Sequence, residues 1–268
     1  ISYEASIQRG ELKAALSHAK ESCKDRPGQQ SFHRMRYISE LVETLDPEWS
    51  PTMGPVIEDY EPSEKRILHL FKVNYPYEST GGAIRNMNVV KCQKEIGWDP
   101  VVITPLGYPR SHGFSEVKEK ISVHGIDHHH LDLGPLPSQI LRYPAKHIEF
   151  NAQILQKYIR ELKPSIIHAA SGYRGFELAV MAMALSKQTG IPWVYEVRSF
   201  HEQTWTRDRQ YATESERTKM REIRENALMK EADAVVTISE SMASALADRG
   251  VPREKITVVP NAVYPEEF

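Results

Sequence analysis

Residues 234–259, AVVTISESMASALADRGVPREKITVV, decide the fold class. Ala234–Ile238 is a short apolar run rich in β-branched residues, and Glu240–Arg249 is helix-forming. Gly250 and Pro252 interrupt the chain, and Ile256–Val259 is apolar again. Short apolar runs separated by helices indicate parallel strands joined by crossover helices, with both faces of the sheet covered. The same alternation runs back to residue 66. Strands are expected at Ile67–Val73, Pro100–Thr104, within Ile121–Leu131, and at Ser165–His168 and Pro192–Val197. Helices are expected near Ala83–Ile96, Ala145–Leu162, Phe176–Lys187 and Thr213–Lys230. The reading is α/β, a doubly wound parallel sheet over residues 66–268.

Residues 1–65 differ. Leu12, Leu16, Ala19 and Cys23 form one helical stripe, and Phe32, Met35, Ile38, Leu41 or Val42, and Leu45 form a second. Pro47, Pro51, Pro55 and Pro62, interspersed with acidic residues, then have the composition of a linker. The expected organisation is a helical N-terminal extension followed by one Rossmann-like domain. Two short helices cannot bury their apolar faces alone, so they need the main domain, each other, or further sequence as a partner.

Composition excludes several function classes. The 268 residues carry 34 Lys and Arg against 36 Asp and Glu, for a formal net charge of −2. Such a balance gives no support for a nucleic-acid binder that neutralises phosphates. Mean hydropathy is −0.49, and no apolar run approaches the ~20 residues a bilayer requires. Two cysteines, Cys23 and Cys92, suit a reducing compartment. With Ile1 in place of Met and no signal peptide, the expectation is a piece of a longer cytoplasmic protein; loose attachment to a membrane surface stays open.

In such a sheet, ligands bind beyond the carboxyl ends of the strands. Gly81 and Gly82 open the first crossover helix, where missing Cβ atoms and free N–H groups favour a phosphate, or make only a tight turn. Arg85 lies one turn later, able to supply a cation to that phosphate or to pair with a carboxylate. The pattern is neither GxGxxG nor GxxxxGK[ST], which argues against a dinucleotide or an ATPase loop. Ser171, Tyr173 and Arg174 follow one strand. Glu196 and Arg198 share a face at the end of another, as ligand-completed charges or as an ion pair pinning the next loop. His201 and Glu202 come next as acid, base or hydroxyl ligands or as solvated loop residues, and Asn261 follows the last strand.

Three features carry bland expectations. Neighbouring side chains on a strand point in opposite directions, so His128, His129 and His130 do not form one chelating face. Met181 and Met183 read as core. Thr213–Lys230 reads as a solvated helix face with local ion pairs.

The segments GGAIRNMNVVKCQKEIGWDPVVIT (81–104), HAASGYRG (168–175), GIPWVYEVRSFHE (190–202) and ADAVVTISESMASALADRGVPREKITVVPNAVYPEEF (232–268) together resemble the N-terminal domain of a family-four glycosyltransferase of GT-B architecture. The resemblance implies transfer of a sugar from a nucleotide diphosphate sugar to a glycan, lipid-linked or small-molecule acceptor, with retention and without a metal cofactor. It implies a donor-diphosphate loop at Gly81 and Gly82, charged site positions at Arg198 and Glu202, and an interdomain turn at Asn261. Many relatives carry His-x-His where this chain has His168 and Ala170. Relatives continue into a second, donor-binding Rossmann domain where this chain reaches Phe268, so the domain alone is expected to be inactive. A GT-B nucleotide-sugar epimerase and a non-catalytic binding domain are the rival readings.

Overall fold

A computed structural model of the chain describes residues 2–131, 134, 142–172 and 175–264. Among these, eight strands form one sheet: β1 (Arg66–Leu70), β2 (Asp99–Thr104), β3 (Lys120–Val123), β4 (Ile126–His130), β5 (Ile166–Ala170), β6 (Trp193–Val197), β7 (Ala234–Thr237) and β8 (Ile256–Val258). Their order is β3-β4-β2-β1-β5-β6-β7-β8, and every neighbouring pair is parallel except β3 and β4. That antiparallel edge corrects the expectation of a single strand within Ile121–Leu131. Val123 pairs with Ile126, and between them His124 and Gly125 both have positive φ, 51° and 69°. Two residues of that kind close a tight hairpin.

From β1 the chain moves to β2 through α4 (Gly81–Glu95), whereas β5 lies on the other side of β1. From β5 the chain runs outward through α6 (Glu177–Thr189), α7 (Arg209–Glu214), α8 (Glu216–Glu231) and α9 (Glu240–Asp248), while α5 (Pro144–Leu162) carries it from β4 to β5. Right-handed crossovers place α4 on one face of the sheet and the later helices on the other. The connections diverge between β1 and β5, the place where a doubly wound sheet leaves a crevice.

The main core lies under the later helices. Leu68, Ile167, Trp193, Tyr195 and Val235 from the strands meet the wholly buried Leu178–Leu185 stretch of α6, so Met181 and Met183 are core. Helices α2 (Leu12–Asp25) and α3 (Gln29–Thr44) join the same apolar cluster through Leu12, Ala15, Ala19 and Ile38, and α1 (Tyr3–Arg9) packs against it through the partly buried Tyr3 and Ile7. The main domain is therefore their partner. Helix α1 was not anticipated; Ser2 caps its start, and Gly10, at φ 72°, closes it.

The Pro-rich stretch is bound along the body rather than free. Arg224 donates to the Pro47 and Trp49 carbonyls at 2.5 and 2.8 Å, Gln156 holds Gly54 and Pro55, and the Tyr60 hydroxyl donates to Pro164. This also corrects the reading of Thr213–Lys230. The segment breaks at Ser215, which caps α8, and α8 buries Thr218, Arg221, Arg224 and Glu225. Charged residues there face inward because the strap and β6 supply partners that a local view of the helix does not include. Among the described residues no helix is long and apolar enough to cross a membrane.

Glu225 gives this burial a pH signature. Its carboxyl is fully enclosed, and burial pushes it up to about 7 against a lowering hydrogen bond from the Tyr195 hydroxyl at 2.6 Å. An acid raised in the folded state holds its proton where the unfolded chain has released it. Its contribution is therefore complete below about 4.5 and is lost as pH rises toward about 7. Glu225→Gln is expected to flatten the fall in stability over that window, measured by urea unfolding at a series of pH values.

Candidate functional site

At the carboxyl ends of β1, β5 and β6 lies a cavity of about 760 Å³. Lys72 and Glu78 line it from the chain after β1, and Thr80, Gly82 and Asn86 from the start of α4. Ser111 and His112 come from the loop after β2, Ser171 and Gly172 from beyond β5, and Arg198 and His201 from beyond β6. The 78–86 segment and Arg198 thus border one hollow.

The loop after β1 is fixed from below by the histidine run. Alternation along β4 puts His128 and His130 on one face, where the first reaches Asn74 Nδ2 at 3.0 Å and the second reaches Asn74 Oδ1 at 3.3 Å. His129 points the other way, against Tyr158. Burial, reinforced by His130, lowers His128 to about 4, so it holds Asn74 as a neutral ring. Tyr108 completes the anchor by accepting from Asn74 N and donating to its carbonyl. Among the described residues no group of three or more His, Cys, Asp or Glu is arranged to hold a metal ion.

Helix α4 begins at the rim. Thr80 caps it, its hydroxyl accepting from Ala83 N, and the first intrahelical bond runs from Ile84 N to the Thr80 carbonyl. The Gly81 and Gly82 amides precede that bond and have no helical acceptor. A Cβ built on either glycine meets nothing within 4 Å. Packing therefore does not itself require glycine at either position.

Behind the rim, Glu196 gathers the charges. Its carboxylate, 1% exposed, accepts from Arg85 Nε at 2.8 Å and from Arg198 Nη2 at 2.5 Å, with His168 Nε2 3.4 Å away. Burial alone would raise this carboxyl. The His168 and Arg198 interactions outweigh burial and hold it well below the usual carboxylate range. The Arg198 backbone N–H also donates to the Ser171 hydroxyl oxygen. Two buried polar atoms of cavity-lining residues, Asn86 Oδ1 and Arg198 Nε, have no hydrogen-bond partner among the described residues.

Other expected site residues lie elsewhere. Arg85 is committed to Glu196, to the Val259 and Pro260 carbonyls and to Asn261 Oδ1. With its donors filled it is not a cation for a phosphate, and Asn261 serves this clamp rather than the cavity. Glu202 is also corrected. A 3-10 turn over His201–Gln203 points His201 into the cavity but buries Glu202 against Arg249 at 2.6 Å. Burial keeps His201 below its usual range, and Arg221 adds to the effect. Glu196 sits behind Arg198, not on the cavity wall. Tyr173 and Arg174 lie outside the described residues.

Sequence reasoning missed Lys72, Asn86 and His112. Lys72 stood in an otherwise apolar run, and the loop after Thr104 leaves a strand's carboxyl end as the other site loops do; both signals were available. Nothing marked Asn86.

A glycosyl transferase 4-like domain, as a family, matches residues 80–262. No curated protein matches the chain. Among solved structures, a sucrose-phosphate synthase from Thermosynechococcus elongatus aligns with a TM-score of 0.55 at 16% identity, over 76% of this chain and 49% of that one. The catalytic domain of starch synthase IV from Arabidopsis thaliana gives 0.49 at 12% identity, over 74% and 52%. A UDP-GlcNAc 2-epimerase from Methanocaldococcus jannaschii gives 0.42 at 13%, over 73% and 45%. The chain spans about half the length of these structures, and at such identities the likeness concerns the fold.

The Arg85 clamp is open to direct test. Arg85→Met frees the carbonyls of Val259 and Pro260, so amides in residues 256–264 should exchange with deuterium at least tenfold faster. Those of β5 should keep wild-type protection.

Proposed function

The chain belongs to the glycosyl transferase 4-like domain family, and we propose that it forms the acceptor-side wall of a GT-B glycosyltransferase cleft. In this reading a sugar moves from a nucleotide diphosphate sugar to an acceptor hydroxyl, with retention of anomeric configuration. The observation that carries it is the shared hollow, in which the open start of α4 faces Arg198 and His201 across about 760 Å³.

The chemistry follows from what each group can offer. As the anomeric carbon separates from the diphosphate, negative charge grows on the leaving oxygen. Preorganised donors aimed at that charge lower the barrier. The Gly81 and Gly82 amides and the positive end of α4 supply such donors, and the absent side chains let the diphosphate approach them. Arg198, held rigid by Glu196, adds a fixed positive charge with its Nε still unmatched. These groups meet the anion without help from a metal ion. His201, kept neutral by burial, can accept a hydrogen bond from an acceptor hydroxyl.

The nucleotide needs a second wall. We place it on a further Rossmann domain, with closure of the two expelling water from the donor. The isolated chain should therefore bind ligands without turnover.

In the full-length protein, Arg198→Ala is expected to lower kcat more than tenfold, assayed well below the variant's Tm, and to lower Tm as well because Glu196 loses a partner. Gly82→Ala, for which the fold has room, should raise KM for the nucleotide sugar several-fold by crowding the diphosphate. Steady-state kinetics with unchanged values for both variants, or transfer by the 268-residue chain alone, would overturn the assignment. A donor converted to its isomer with no conjugate formed would favour epimerisation instead.

A further inference from the structure

The cavity bordered by Arg198 is the first of three hollows in series. His201 lines it and also a second, of about 690 Å³, whose walls include Trp205 and the later half of α3. Tyr37 and Arg142 line that second hollow and also a third, of about 630 Å³, between Tyr3 of α1 and the first half of α3. Each volume is within the range of small-molecule sites, and the shared walls join the three into one trough.

Helix α3 runs along its outer part. Gln30, His33 and Tyr37 line the third hollow, and Tyr37, Leu41 and Thr44 line the second. Steps of three and four residues put all five on one face of the helix. At ~1.5 Å of rise per residue they span about 21 Å, to which the first cavity adds its own length. A single sugar ring fills only a fraction of that.

The lining suits a row of sugars. Each ring has an apolar C–H face and a rim of hydroxyls, so it calls for flat apolar walls interspersed with polar groups. Half-buried aromatic rings stand in the second hollow at Trp205, at the boundary at Tyr37, and in the third hollow at Tyr3. The Trp205 indole N–H donates to the Thr218 hydroxyl at 3.0 Å, which fixes that ring in place. Thr204, Arg142, Gln29 and Gln30 lie among these rings as hydroxyl partners. Helices α1 and α3 fall outside the family match at 80–262, so the outer wall is an addition to the shared domain.

We infer that the acceptor is an oligosaccharide several residues long, seated along this trough with its reacting end at Arg198 and His201. The choice of reacting end rests on the glycosyltransferase reading; the binding of a long glycan does not. The N-terminal helices then grip the far part of the acceptor, whose contacts add affinity without touching the bond that forms.

The test is binding as a function of chain length, which stays separable from turnover. The purified chain is titrated with linear oligosaccharides from one residue to eight, built separately from glucose, mannose, galactose and N-acetylglucosamine. In at least one series the affinity should climb at least tenfold between the disaccharide and the hexasaccharide. Tyr37→Ala should erase that climb and leave disaccharide binding as in the wild type. So should Gln30→Ala combined with Arg142→Ala, both at exposed positions that leave the fold intact. A misfolded variant would lose short and long ligands alike, which separates the two causes. Affinity independent of length in every series would overturn the proposal, as would an unchanged climb in both variants. Failure of transfer in the full-length protein, with the length dependence intact, would sink the catalytic reading and leave the glycan trough standing.

Discussion

The cleft depends on one buried carboxylate. Glu196 lies at the end of a central strand, where an ionised acid is costly to enclose unless cations and hydrogen bonds complete it. Arg85 arrives from α4 and Arg198 from the loop beyond β6, so the same carboxylate ties the two walls of the hollow to the sheet. Neither arginine could be removed without leaving Glu196 short of a partner. Arg85 additionally binds the backbone beyond β8, extending the same network to Val259 and Asn261.

This arrangement divides labour among residues of similar chemistry. Of two arginines on Glu196, Arg198 lines the cavity and Arg85 spends its donors on Glu196 and the backbone beyond β8. Of two neighbours on one 3-10 turn, His201 faces the hollow and Glu202 braces Arg249. The histidine run divides likewise. Two rings hold Asn74, which sets the loop leading to Gly81, and the third packs outside. Structural and ligand-facing roles are separated by direction, not by residue type.

That separation marks the limit of what the sequence made legible. Strand and helix order could be read because apolar runs and helical stripes follow from burial, and burial is periodic along the chain. The pairing of Glu196 with Arg198 could be read because alternation along a strand is local. The partners of Arg85 could not, since Val259 and Asn261 come from the far end of the sheet. The strap over residues 46–65 was hidden for a similar reason. Its prolines signal a chain without regular structure, and only Arg224, 177 positions after Pro47, decides that it is held down. The inward-facing charges of α8 looked solvated for want of that same long-range partner.

The long reach of the N-terminal helices has a consequence for biosynthesis. Lys13 N bonds to Glu216 Oε2, 203 positions later, and the Arg217 amide bonds to Gly10. While a ribosome is still translating the intervening stretch, Leu12, Ala15 and Ile38 have no seat, because part of their docking surface has not yet been made. Apolar segments left waiting in this way are what holding chaperones recognise. Production of the intact polypeptide should accordingly depend more on chaperone supply than production of a version starting near residue 46, provided that shorter version folds.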